Sequence, residues 1–325
     1  MGGQRDSAMR QTYGVIAADR QGIVDPGADA PADPAPMDPP PDAAIASSTV
    51  ADSAHLRRAV DPEAAARGLP RGDLGPFQRW FRHRFSWALA SILIKGWFRV
   101  TIVNPERLLR GPGVYAFNHL SWLDPMVLVA TLPREPRVYF YGPKQVDLRT
   151  GGRNRLMWWT GIPIPFSPTK DDLRTSLRRT QAVFDTGGVV CIAPEGTIHV
   201  HEGDLLPFEE GAAYIALRAG VPIVPIAITG VSQAHFRGRV RVRVGHAIET
   251  AGVKPSRQNV ARFSALTWHA IRSMVEGDRD LPRPRFIGRL ITDLFNDWGP
   301  GGREAASRRK GPDPGDVPIP PLDPG

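Results

Sequence analysis

Short apolar runs alternate with helix-patterned stretches along the middle of this chain. GVYAFN (113–118), RVYFYG (137–142), PIPF (163–166), GGVVCIAPEG (187–196), VPIVPIAITG (221–230) and RVRVRVG (239–245) read as strands or strand ends. Between them, DPMVLVATL (124–132), GGRNRLMWWTG (151–161), KDDLRTSLRRTQAVFDTG (170–187) and EEGAAYIALRAG (209–220) read as helices. The alternation predicts an α/β fold: a mixed, largely parallel central sheet flanked by helices. In such folds functional groups gather where strands end and helices begin.

Two amphipathic patterns close this region. Val260, Phe263, Leu266, Ile271, Met274 and Val275 form one apolar face, expected to pack on the core. Phe286, Ile287, Leu290, Ile291, Leu294, Phe295 and Trp298 form a second, which suits either the core or a lipid surface.

Ahead of the first strand, FQRWFRHRFSWALASILIKGWFRV sets Trp80, Trp87 and Trp97 beside Arg79, Arg82, Arg84, Lys95 and Arg99. The uncharged run from Phe85 to Ile94 is half of the roughly 20 residues a spanning helix needs. Cations beside aromatics suit a helix lying in the headgroup region, so residues 77–98 are expected to form an amphipathic membrane-interface helix.

The ends differ in composition. Residues 1–75, with ADAPADPAPMDPPPDAA, and residues 299–325 are rich in Pro, Gly, Ala and Asp and carry no apolar periodicity. Both are expected to be disordered, leaving residues 76–298 as one domain.

The net charge is +8 and the N-terminal stretch is net acidic, so the body is more basic than the whole. A basic body suits an anionic partner: nucleic acid, a membrane surface or a phosphorylated substrate. Arg237, Arg239, Arg241 and Arg243 alternate with valines as the outer face of a strand, and no nucleic-acid motif accompanies them, so a nucleic-acid partner is not expected. Cys191 is the single cysteine, which excludes an internal disulfide and a Cys-based zinc site. No hydrophobic secretory signal opens the chain, so the active part is expected on the cytosolic face of the inner or plasma membrane.

The candidate chemistry starts at FNHLSWLD (117–124). A strand delivers His119 to the start of the helix that DPMVLV suggests, where the positive dipole end favours neutral imidazole, the form that takes a proton. Asp124 can accept from the other ring nitrogen and stabilise the imidazolium as it forms. His119 and Asp124 thus make a general-base dyad in need of a hydroxyl. No G-x-S-x-G supplies one, so the hydroxyl belongs to the substrate. Water in that role would make a hydrolase.

Further along come Pro194-Glu195-Gly196-Thr197, a second helix, and Val221-Pro222-Ile223-Val224-Pro225. With N-H-x4-D ahead of them, these blocks resemble, in order and spacing, the glycerolipid acyltransferase family, which makes phosphatidic acid from lysophosphatidic acid. The resemblance runs from about Ile102 to Glu249. It implies transfer of an acyl group from acyl-CoA or acyl-carrier protein to the hydroxyl of a lyso-lipid, with His119 as base and Asp124 as its orienter. It implies an acceptor-binding loop of Pro194, Glu195, Gly196 and Thr197 beside Asn118. Lys144, Arg153, Arg155 and Lys170 are candidate cations for substrate phosphates. No metal and no cofactor is expected, because the thioester is already activated. Two positions depart from the pattern: GIPIPFSPTK carries Pro163 and Pro165 and lacks the family's arginine, and Ile198 replaces a second arginine. Both arginines are associated with the acceptor's phosphate. His199-Val200-His201-Glu202 has no evident third metal ligand and is expected instead to line the acceptor pocket.

Overall fold

A computed structural model of the chain describes residues 62–142, 149, 151–166, 170–296 and 301–324. Residues 1–61 and Lys144 lie outside the described residues.

Seven strands form one sheet: β1 (Arg99–Val103), β2 (Gly113–Phe117), β3 (Val138–Gly142), β4 (Pro163–Pro165), β5 (Val189–Ile192), β6 (Ile223–Thr229) and β7 (Arg239–Val244). Their spatial order is β1-β7-β6-β2-β5-β3-β4. Every pairing is parallel except β6 with β7, so β1 and β7 run against the other five. The largely parallel α/β fold read from the sequence is the fold observed. Its helices are α1 (Pro62–Gly68), α2 (Pro76–Trp97), α3 (Asp124–Thr131), α4 (Gly152–Thr160), α5 (Lys170–Asp185), α6 (Gly211–Ala219), α7 (Arg257–Val275), α8 (Phe286–Asn296) and α9 (Gly302–Ser307).

The central strands β2, β5 and β6 are buried along their whole length, because helices cover both faces of the sheet. One apolar cluster joins Phe117, Cys191 and Ile226 to Ile94 of α2, Leu128 of α3 and the half-buried Ile291 of α8. The other joins Val114, Val190 and Ile223 to Val183 of α5, Ile215 of α6 and Trp268 of α7. Cutting a buried isoleucine such as Ile226 to alanine costs about 2–5 kcal/mol in transfer and cavity terms. Cys191 is buried with the core, which pushes its thiol well up in pKa.

Local sequence sets the edges. Pro163 and Pro165 fit β4 because it is an outer strand, where only Ile162, Ile164 and Phe166 have to face β3. Pro125 opens α3 in the first turn, and Leu132, extended ahead of Pro133, ends it. In β7 the valines 240, 242 and 244 face the core while Arg239 and Arg241 face out. Arg243 is taken up by Asp278, at 2.6 and 3.1 Å. Strand β1 was not anticipated: RVTIV alternates too briefly beside the aromatic helix before it.

Two expectations about the ends are corrected. Residues 62–74 are folded and packed, helix α1 running on into turns at 69–74, with Ala65, Leu69 and Leu74 buried and the Ala66 carbonyl accepting from Arg79. Residues 301–324 are laid on the body as well. Ala306 is buried, Gly311 N donates to Asp204 Oδ2, and the carbonyls of Pro320, Pro321 and Asp323 accept from Arg262, Gln258 and Asn259 of α7. A Pro-rich segment has few amides of its own to pair its carbonyls. Here polar side chains of α7 pair them, a docking mode that apolar periodicity does not register.

Candidate active site

The C-terminal ends of β6, β2 and β5, neighbours in the sheet, deliver three loops to one edge. The β2 loop (118–123) carries His119, the β5 loop carries Pro194 to Thr197, and the β6 loop begins at Gly230.

His119 Nδ1 lies 2.8 Å from Asp124 Oδ2. The same oxygen accepts from the amides of Leu120 at 2.8 Å and Ser121 at 2.9 Å. Three donors converging on one oxygen call for a carboxylate, which fixes the hydrogen of His119 on Nδ1 and leaves Nε2 as the proton-accepting atom. Asp124 is fully buried; burial raises its pKa, against the lowering pull of His119 and of the two amides. Helix α3 starts at Asp124, not at His119, so the helix dipole acts on the carboxylate rather than on the ring. That corrects the expected placement of His119 at the helix start. The ring itself is 16% exposed, with Trp122 and Phe117 edge-on to it at 6.3 and 6.2 Å.

The loop's backbone is held from every side. Asn118 is buried and exchanges two hydrogen bonds with Ile228 of β6, donating from Nδ2 at 2.9 Å and accepting on Oδ1 at 2.7 Å. Its amide therefore serves as a strut between strands, which corrects its expected place against the substrate. His119 N donates to Glu195 Oε1 at 2.6 Å, and His119 O accepts from His199 N at 3.2 Å. Asn296, at the end of α8, accepts from Ser121 Oγ at 2.9 Å and from Trp122 N at 3.0 Å.

Glu195 is buried and its second oxygen accepts from Leu206 N at 2.8 Å, so its carboxylate braces His119 from beneath. Gly196 is exposed in the left-handed region, with φ of 65°, and Thr197 beside it is half-buried. These two are the parts of the 194–197 loop that face outward; Pro194 is buried and its carbonyl accepts from Glu209 N.

His199 Nε2 lies 3.0 Å from Glu195 Oε2, off the line of a good hydrogen bond, so the contact is chiefly Coulombic. Burial opposes the charged ring, and Glu195, with Asp204 and Asp124 farther off, outweighs it and raises the pKa of His199. His201 Nδ1 meets Asp280 at 2.7 Å and its Nε2 meets the Ser307 carbonyl at 2.8 Å. Glu202 is buried and accepts from Gly230 N and from the amide and hydroxyl of Ser232. Burial pushes its pKa up to about 7 in spite of those donors. The His199–Glu202 run is thus spent on tying its loop to the His119 loop, to the β6 loop and to Asp280 and Ser307, which corrects its expected role in lining a pocket. Among the described residues no cluster of His, Cys, Asp and Glu is arranged to hold a metal.

Lys170 is the first residue of α5 and Arg155 is exposed on α4; no described contact joins Arg155 to the dyad. Ile198 is buried, and its carbonyl accepts from Arg309 of the C-terminal segment. Neither Arg309 nor Asn296 was singled out from the sequence. Both lie more than 100 residues from the motif they support and carry no local signature.

An acyltransferase family model matches residues 99–229. The human 1-acyl-sn-glycerol-3-phosphate acyltransferase beta is 32% identical over 190 residues, covering 50% of this chain and 64% of that protein. A probable 1-acyl-sn-glycerol-3-phosphate acyltransferase of Mycoplasma pneumoniae is 28% identical over 166 residues, covering 50% of this chain and 60% of its own. The chain thus spans less than two thirds of either relative. Among solved structures, the 1-acyl-sn-glycerophosphate acyltransferase of Thermotoga maritima aligns with a TM-score of 0.47 at 16% identity, over 61% of this chain and 78% of that one. Residues 99–229, which hold the His119–Asp124 pair and the β2 and β5 loops around it, are similar to the acyltransferase family.

Proposed function

We propose that this protein is an O-acyltransferase of lipid biosynthesis, moving an acyl group from acyl-CoA or acyl-carrier protein to the hydroxyl of a lysophospholipid or related lyso-lipid. The observation that carries the reading is the contact of His119 Nδ1 with a fully buried Asp124 carboxylate. Nε2 removes the proton of the acceptor hydroxyl as its oxygen attacks the thioester carbonyl carbon. The tetrahedral intermediate collapses, the carbon–sulfur bond breaks, and the departing thiolate takes the proton back from Nε2. Asp124 keeps its charge throughout and stabilises the imidazolium between the two transfers. The thioester is already activated, so this route calls for no metal or redox cofactor.

The acceptor is bound by the outward part of the 194–197 loop. Because Ile198 stands where the resemblance places an arginine, the preferred acceptor is a lyso-lipid whose head group differs from bare glycerol phosphate. The enzyme works on the cytosolic leaflet of the inner or plasma membrane, docked through α2. That helix buries His83, Ser86, Ala90 and Ile94 and exposes Phe77, Trp80, Phe81 and Phe85. Among the described residues no helix is long and apolar enough to cross a membrane.

The test is acyl transfer by the purified full chain and its His119→Ala variant, with folding followed by circular dichroism. The variant is expected to lose about 10²–10⁴-fold in rate while remaining folded. A folded variant at the parent rate overturns the assignment. Thioester release that needs no acceptor makes the protein a hydrolase.

A further inference from the structure

Helix α8 is oriented against its own amphipathicity. Its stripe of Gly288, Thr292 and Asn296, four residues apart, is buried. Phe286, Ile287, Leu290 and Leu294 are 81, 61, 58 and 68% exposed. Turning the helix about its axis would cover that apolar arc, and specific contacts prevent the turn. Thr292 Oγ1 accepts from Ala234 N at 2.9 Å, Asn296 Oδ1 holds the His119 loop, and a Cβ on Gly288 would stand 2.3 Å from the Ala234 carbonyl. The outward apolar face is therefore locked in place by polar chemistry, and the lock ends on the catalytic loop.

The surroundings indicate what covers the face. Arg283 and Arg285 are exposed just ahead of the helix and pair with no acid among the described residues. The same Ala234 that receives Gly288 also accepts from Trp97 Nε1, at the end of α2. Phe236, 66% exposed, packs edge-on against that Trp97 at 5.1 Å. The buried stripe of α8 and the end of α2 thus meet at Ala234, and the exposed apolar side chains and cations these elements carry suit the interface of an anionic bilayer.

We propose that α8 is a membrane-docking helix which inserts Phe286, Ile287, Leu290 and Leu294 into an anionic bilayer surface. Through Asn296, its docked position sets the His119 loop relative to the lipid. The inference does not depend on the reaction assigned above, and its failure would leave acyl transfer standing.

Cys191 is the single cysteine and is buried, so a Leu290→Cys variant of the full chain takes an environment-sensitive fluorophore at one exposed place. Vesicles of phosphatidylcholine, with and without phosphatidylglycerol, are then added. The expected result is a blue shift with anionic vesicles that lipid-borne quenchers suppress. Arg283→Gln with Arg285→Gln should weaken that binding roughly 30-fold. An unshifted probe on protein that floats with the vesicles overturns the proposal, leaving α2 as the sole contact. A shift that follows protein concentration without lipid also overturns it, assigning the face to a second copy of the chain.

Discussion

The backbone amide of His119 donates to Glu195 Oε1 at 2.6 Å, so the histidine on one loop is suspended from a carboxylate on the next. This relation separates two roles that the motif alone leaves merged. A Glu195 that contacted the acceptor would act on acceptor affinity. A Glu195 that positions the His119 backbone acts on the rate of the chemical step. Glu195→Gln keeps an acceptor for one amide but sets an NH2 group against the other, at His119 or Leu206. It is expected to lower kcat about 10–100-fold with little change in the acceptor KM. A variant that raises KM and spares kcat would return Glu195 to the substrate.

Asp124→Asn keeps the shape of the turn and removes the charge facing the imidazolium. The rate is expected to fall by about 10²–10⁴-fold. A folded variant at the parent rate would remove Asp124 from the mechanism.

Glu202 sets a pH dependence of stability. Burial pushes its native pKa to about 7 from an ordinary 4.5. Between those values the native state holds a proton that the unfolded chain has released. Stability from this site is therefore fully present below 4.5, falls as pH rises to 7, and is flat above. The shift corresponds to on the order of 3 kcal/mol. Urea midpoints measured across that range should decline for the parent chain and less for Glu202→Gln. Parallel curves would show that Glu202 is ionised throughout.

Helix α2 should bind anionic vesicles in a salt-sensitive way, with an apolar residue of binding that salt leaves in place. Each cation near the surface contributes about 1 kcal/mol. Phe77, Trp80, Phe81 and Phe85 stack in a row at 5.9 to 6.4 Å, ending edge-on against Trp159. Replacing Phe77 and Phe81 by serine should weaken flotation with neutral and anionic vesicles alike. Loss with anionic vesicles only would make the contact purely electrostatic.

Acceptor choice tests the reading of Ile198. A charge-assisted hydrogen bond contributes roughly 1.5–3 kcal/mol, so two absent arginines would cost several orders of magnitude in affinity for a bare phosphate head. In direct competition with one acyl-CoA, a lyso-lipid with a modified or amino-acid-bearing head is expected to be used ahead of lysophosphatidic acid. Preference for lysophosphatidic acid by a wide margin would mean that other cations grip its phosphate, and Lys170→Ala would then identify one of them.

Six of the seven strands, their order along the chain and the His119–Asp124 pair were legible because each rests on local pattern. Period-two valines gave β7, continuous apolar runs gave β2, β5 and β6, and a His five residues before an Asp gave the His119–Asp124 contact. The bracing was not legible. Asn118 reads as a substrate ligand until Ile228, 110 positions away, takes both of its amide atoms. His199 and Glu202 read as pocket residues because sequence spacing carries no depth, and both are buried. The second amphipathic pattern revealed α8 but not its orientation, which Gly288, Thr292 and Asn296 decide through partners on other elements.

The Asn118 strut also bears on the order in which the molecule assembles. It closes a span of 110 residues, and β1 pairs with a strand still more remote, Arg99 lying opposite Arg239. Contacts of such high sequence separation form slowly, since the loop entropy must be met before the contact repays it. Helical content should therefore return early in refolding, while the His119 turn acquires its working shape only when β6 docks on β2. Recovery of activity should lag recovery of circular dichroism, and Asn118→Ala should lengthen that lag by slowing the final closure.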